Sequence, residues 1–266
     1  MPERLQLDGI CNLVHLKCCI KGNAGQAIQL TRQNSSTLES LIIANDDMID
    51  VCGLIRDSGG NMATYPRLLK LQLYGESNPP LSPRPVFPDL VPFPSLSNLI
   101  VDTHYPFGDD TLLRGNKATL KRLALKVDNF LMSMVRRYRV FAPESHPRLQ
   151  HLTITQVDVE DLDVFDSRVE FIRFVLNISP RVAVLGLQMT FSCTEFLSAM
   201  TPRERYASIQ TLSIPFTRLT IVDAIMLIKS LPLLTVLRTM YPAIGIVPAN
   251  FTLYDGLPRD ERGGLV

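Results

Sequence analysis

One pattern constrains this chain more than any other: an apolar sextet, L-x-x-L-x-L or a close equivalent, recurs nine times. It reads LVHLKC from Leu13, LESLII from Leu38, LLKLQL from Leu68, LSNLIV from Leu96 and LKRLAL from Leu120. It continues as LQHLTI from Leu149, VAVLGL from Val182, IQTLSI from Ile209 and LTVLRT from Leu234. Successive starts are 25, 30, 28, 24, 29, 33, 27 and 25 residues apart. Because 46% of the residues are hydrophobic, three fixed apolar positions coincide by accident in roughly one window in ten. Apolarity alone therefore establishes no repeat. Two identities do. The fourth position is leucine in all nine sextets (Leu16, Leu41, Leu71, Leu99, Leu123, Leu152, Leu185, Leu212, Leu237), and a proline stands two residues before five of them (Pro66, Pro94, Pro147, Pro180, Pro232).

The spacing has a direct physical meaning. Residues two apart on a strand share a face, so positions 4 and 6 point one way while positions 3, 5 and 7 point the other. The shared leucines predict strands whose inward faces stack on those of neighbouring repeats. The proline lacks an N–H and disfavours a helical residue before it, so it ends each incoming segment and leads into the strand. Between strands the regular stretches read as helices. Residues 46–55 open with Asp46 and Asp47, place Met48, Val51, Cys52 and Ile55 on one face, and stop at Gly59 and Gly60. Thr220 with Asp223 forms a capping-box pattern for a helix running to Ser230, before Pro232. Residues 128–141 and 169–177 fit the same role.

A strand, turn and helix repeated on this leucine and proline placement resembles a leucine-rich repeat array, from Leu13 to about Ile244. The resemblance implies an α/β solenoid of about nine irregular repeats, with parallel strands on a concave face and helices or irregular turns on the convex one. The array is expected to span residues 1–247, residues 1–12 forming a partial repeat without a cap, and residues 248–266 an irregular tail. The Asn or Cys that the family carries at position 9 is absent here; Lys21, Asp46, Glu76 and His104 stand at the first such positions. Long, uneven repeats are most similar to the repeat region of fungal F-box adaptor proteins. That resemblance implies a non-enzymatic scaffold for protein–protein interaction, the substrate-recognition part of an F-box-type ubiquitin-ligase adaptor. Contact with a ligase core would run through a module missing from this chain, since Leu13 leaves no room ahead of it for an F-box. A truncated or degenerate repeat fragment without activity, and an unrecognised α/β hydrolase, remain the alternatives.

Charge and composition narrow the partner. The formal net charge is +1, without the excess of Lys and Arg that phosphate neutralisation demands, so no nucleic-acid partner is expected. No apolar run approaches the roughly 20 residues of a membrane helix, and the first residues carry no signal-peptide pattern. Five cysteines, with no CxxC pair, suggest reduced thiols and a cytoplasmic or nuclear protein. The sequons at Asn34, Asn177 and Asn250 are then coincidental.

Candidate chemistry is sparse. Cys11, His15, Cys18 and Cys19 are zinc-type ligands, but His15 and Cys19 fall on the strand face opposite Cys18 and cannot converge. The acidic run Asp158, Glu160, Asp161, Asp163 and Asp166 lacks the glycine and terminal bidentate Glu of a calcium loop. Four histidines stand in no nucleophile motif, and no phosphate-binding glycine loop occurs. No catalytic, cofactor or metal residue is assigned. Arg136, Arg137 and Arg139 read as a basic helix end. Residues 77–94 hold seven of the nineteen prolines and should protrude as an extended insertion loop. The partner-binding residues are expected among the outward strand positions. Lys70, Tyr74, Arg122, Lys126 and His151 would form a basic, partly aromatic patch suited to a protein with an acidic surface.

Overall fold

A computed structural model describes residues 11–20, 24–45, 52–55, 61–75, 91–102, 113, 115–127, 146–156, 168–178, 181–201, 206–239 and 252–255. The fold is α/β, with parallel pairing between neighbouring strands, and the chain forms two compact units. The first holds β1 (His15–Ile20), β2 (Ser40–Asn45), β3 (Lys70–Gly75), β4 (Asn98–Asp102) and β5 (Arg122–Val127). Its helices are α1 (Ala24–Gln33) and the short α2 (Cys52–Ile55). The second holds β6 (His151–Gln156), β7 (Val184–Gln188), β8 (Thr211–Ile214), β9 (Val236–Thr239) and β10 (Thr252–Asp255). Its helices are α3 (Arg168–Asn177), α4 (Cys193–Ala199) and α5 (Ile221–Ser230).

All nine sextets form strands, and each strand begins at position 3. In the first unit Leu16, Leu41, Leu71, Leu99 and Leu123 lie in one register across β1 to β5. In the second, Leu152, Leu185, Leu212 and Leu237 do the same across β6 to β9, and Leu253 of β10 extends the row. From Leu41 to Leu237 these fourth-position leucines are wholly buried, while position 6 is filled by Ile43, Leu73, Val101, Leu125, Ile154, Leu187 and Ile214 at 2% exposure or less. Each such side chain contributes roughly 1.5–3 kcal/mol on burial. This stack is the main apolar core.

The prolines have a sharper role than ending a segment. Leu68 N–H donates to the Tyr65 carbonyl at 3.2 Å, Leu96 to Phe93 at 3.1 Å, Leu149 to His146 at 3.1 Å and Leu234 to Leu231 at 3.0 Å. Pro66, Pro94, Pro147 and Pro232 therefore occupy the second position of a four-residue turn, where a fixed φ helps and no N–H is needed. The residue opening each turn is buried. Without the proline, Asn34 and Asn116 open a turn one residue longer, closed by Leu38 and Leu120. Asn34 is 1% exposed; its amide donates to the Leu30 carbonyl and its oxygen accepts from Leu13 N–H. That sequon asparagine is thus a buried turn residue. At the entries of β2 to β5 and of β7 to β9 the two incoming amides share one carbonyl of the preceding repeat, as Ser97 and Asn98 share Leu69 O at 3.0 Å each.

Three segments depart from the sequence reading. Residues 91–94 are not part of a protruding loop: Pro92 and Phe93 are buried, and the Phe93 ring lies 5.2 Å from that of Tyr65. Tyr65 N–H donates to Pro92 O at 2.8 Å, so the end of the proline-rich stretch is the turn of the next repeat; residues 77–90 lie outside the described residues. The expected irregular tail contains β10, whose Leu253 pairs with Leu237. Helices α1 and α4 fill connections for which no helix is expected. For α4 the signal was present in the Ser192-x-x-Glu195 spacing: Glu195 N–H donates to Ser192 Oγ at 3.2 Å and Ser192 N–H to Glu195 at 2.6 Å.

The expected helices are found where they can be described. Helix α5 has the capping box read from Thr220 and Asp223, with Thr220 N–H donating to the Asp223 carboxylate at 2.9 Å. Helix α3 begins one residue before the expected start. Of residues 46–55 only α2 is described, with Leu54 and Ile55 buried. The expected helix at 128–141, with its arginine cluster, and the acidic run at 158–166 lie outside the described residues.

One buried hydroxyl stands out. Thr217 is wholly buried, and its Oγ1 has no hydrogen-bond partner. An enclosed unsatisfied hydroxyl costs about 1–3 kcal/mol. Thr217→Val keeps the shape and removes that cost, so the variant should unfold at a higher urea concentration, by about 1 kcal/mol; a fall in the midpoint would refute the assignment.

Candidate interaction surface

The face of β1 to β5 opposite the leucine stack is the one the outward positions build. Across β2 to β5 the registers arrange it in three rows. At the strand-entry end stand Ser40, Lys70, Asn98 and Arg122. The middle row is Ile42, Gln72, Ile100 and Ala124. At the strand-exit end stand Ala44, Tyr74 and Asp102, with Lys126 one residue beyond the Val101–Leu125 pair.

Four of the five expected partner residues therefore share one unit. Lys70 and Arg122 flank Asn98, two strand spacings apart, about 9.6 Å. Tyr74 lies on the same face of β3 as Lys70, and Lys126 on the same face of β5 as Arg122. Arg122 is exposed, whereas Lys70, Tyr74 and Lys126 are half-buried. Long side chains rooted in a sheet in this way cover it with their stems and hold their charged ends in solvent. None of the three cations has an ion-pair partner among the described residues; the ion pair seen there is Arg67 with Glu39 at 2.9 Å, on an exposed strand entry.

His151, the fifth, is the exposed first residue of β6 in the second unit. The outer strand face of that unit is different in kind. At position 5 the small residues Thr153, Gly186 and Ser213 lie side by side, and the exposed Arg238 of β9 follows Ser213 in the row. Gly186 is held by contact: a Cβ there would sit 3.2 Å from both Thr153 Oγ1 and Cγ2. Thr155 donates to Gln188 Oε1 at 2.9 Å, tying β6 to β7 at the strand exit.

Compared with family models and with curated proteins, the chain matches none.

Among the described residues no three His, Cys, Asp or Glu side chains cluster to hold a metal ion. His15 and Cys19 are exposed, whereas Cys18 is half-buried and on the opposite strand face, with burial pushing its thiol above the ordinary range. No described helix is long and apolar enough to cross a membrane. Sequence reading places Asn98 and Asp102 among the outward strand positions but leaves both out of the expected partner residues. Asn98 carries an enclosed Oδ1 with no hydrogen-bond partner, directly between the two cations of the entry row. Asp102, exposed, sits between Tyr74 and Lys126 in the exit row. Their lateral neighbours are not visible in the sequence, because those lie 24 or 28 residues away in the chain.

Proposed function

We propose that this chain is a leucine-rich repeat protein that binds a protein partner on the outer strand face of its first unit, without enzymatic activity. On this reading it acts in the cytoplasm or nucleus as the substrate-recognition part of an F-box-type ubiquitin-ligase adaptor. The observation that carries the binding role is the set Lys70, Arg122 and Lys126. Lys70 and Arg122 stand at the strand-entry end and Lys126, with Tyr74, at the strand-exit end of one face of β3 to β5, and none of the three cations has an ion-pair partner among the described residues. A fold that needed them for its own stability would give them carboxylates. Cations and a tyrosine on one sheet face instead match the composition of interface centres, where Tyr and Arg are enriched. His151, in the other unit, is assigned no shared role with them.

The test is charge reversal. A partner captured by the wild-type chain and identified by mass spectrometry is purified, and its affinity is measured by calorimetry. The triple variant Lys70→Glu, Arg122→Glu, Lys126→Glu should bind at least tenfold more weakly, since like charges set against an acidic partner are costly. Arg148→Glu, on an exposed turn of the second unit, should change affinity less than twofold. Retained affinity in the triple variant would remove the binding face. The ligase role is read separately, from the partner's half-life in cells. It should lengthen when the triple variant replaces the wild type, and an unchanged half-life would overturn that role.

A further inference from the structure

The outer face of β3 to β5 is not uniformly basic, and its charges are ordered along the strand direction. The entry row has two cations, Lys70 and Arg122, flanking Asn98, and no acid. The middle row, with Ile100 at its centre between Gln72 and Ala124, carries no charge. In the exit row the exposed Asp102 stands directly beside Tyr74. A carboxylate next to an aromatic ring is a seat for a cation, because the ring face and the acid attract the same charge. Lys126 stands on the other side of Asp102, and among the described residues Asp102 has no ion-pair partner.

The spacing of the rows matches an extended peptide. Rows at positions 3, 5 and 7 recur every two residues, about 6.6 Å. A strand-like peptide lying along β4 presents its own i, i+2 and i+4 side chains on one face with the same repeat. From this we infer that the surface selects an extended segment of mixed charge. An acidic side chain lies over the Lys70–Arg122 row, an apolar one over Ile100, and a Lys or Arg sits between Tyr74 and Asp102. Both chain directions satisfy this order, giving acid-x-apolar-x-cation or its reverse. The inference rests on the binding face proposed above and replaces a generally acidic partner surface with a defined sequence of charges. Tyr74 and Asp102 become the residues that set specificity. Lys126 remains a general attraction for acid beyond the seat.

The experiment uses the full chain and fluorescein-labelled peptides, with binding followed by anisotropy. The probes are Gly-Glu-Ser-Leu-Ser-Arg-Gly, its reversed sequence, and the acidic control Gly-Glu-Ser-Leu-Ser-Glu-Gly. At least one mixed-charge peptide should bind the wild type tenfold or more tighter than the acidic control. Asp102→Lys should invert that order, and Asp102→Asn should narrow it. Equal or tighter binding of the acidic control by the wild type would overturn the inference, as would an order unchanged in Asp102→Lys or no binding by any mixed-charge peptide at millimolar concentration. The Lys70→Glu, Arg122→Glu, Lys126→Glu variant separates the two levels. If it binds the peptides like the wild type, the face itself is wrong. If it loses them while Asp102→Lys keeps the wild-type preference, only the charge order is wrong.

Discussion

Replacing Leu99 by Ala should lower the stability of the chain by about 3–5 kcal/mol, whereas Ile100→Thr, one residue on, should change it by no more than about 1 kcal/mol. Leu99 is wholly buried, at the centre of the row between Leu71 and Leu123. Truncating it loses the transfer free energy of the removed carbons and leaves a cavity. Its strand neighbours are fixed by backbone pairing and cannot collapse into that space. Ile100 faces the other way and is half-buried, and Thr keeps the β-branched shape suited to a strand. With total stabilities of order 5–15 kcal/mol, the loss at Leu99 is a large fraction of the whole. Urea unfolding of the two variants reads the difference. Similar losses at both positions would mean that the strand's two faces are not divided into core and solvent as described.

Alkylation of Cys193 by iodoacetamide at pH 8 should be on the order of a thousandfold slower in the folded chain than for an ordinary thiol. Cys193 is 4% exposed at the start of α4. Burial, and then the nearby Asp223 carboxylate of α5, push its thiol up to about 12. The reactive thiolate is then about one part in ten thousand at pH 8, against roughly a quarter for a thiol titrating near 8.5. Mass spectrometry after timed alkylation, with and without urea, measures the protection. Rapid labelling of Cys193 in the folded chain would exclude the buried placement. The same shift has a consequence for stability. A thiol held protonated by the fold contributes fully below the unfolded value, near 8.5, and its contribution is lost as pH rises through that value towards about 12. Alkaline solution should therefore lower the unfolding midpoint through this group, and Cys193→Ala should remove that part of the pH dependence.

Cys193 also shows how unevenly the molecule is legible. Nothing in its sequence neighbourhood marks it as inert; its state is set by burial and by Asp223, thirty residues later. The helix it opens went unread although its signal is local, because Ser192 and Glu195 are three residues apart and satisfy each other's backbone groups. The same local pairing at Thr220 and Asp223 was read, and the helix is there. Phe93 lies at the opposite limit. Its surroundings in the chain are prolines that suggest a loop, yet its ring packs on Tyr65, a contact between residues 28 apart that composition cannot reveal. β10 was obscured for a related reason: a four-residue strand at the end of a weakly patterned segment is specified mainly by the strand it joins, here β9.

The sequence by itself determined nine strand positions and the inward face of each. Both depend on side-chain alternation, which is a property of neighbouring residues, reinforced by leucine at one fixed place. It also named Lys70, Tyr74, Arg122 and Lys126 as outward residues. Tertiary structure alone decided what stands between them. Asn98 separates the two cations of the entry row and Asp102 borders Tyr74, because strand register fixes lateral neighbours across connections whose lengths vary. It also assigned His151 to the second unit. Charge read along the chain gave a basic patch; charge read across the strands gives an ordered face, since the distances that govern electrostatic recognition run from strand to strand.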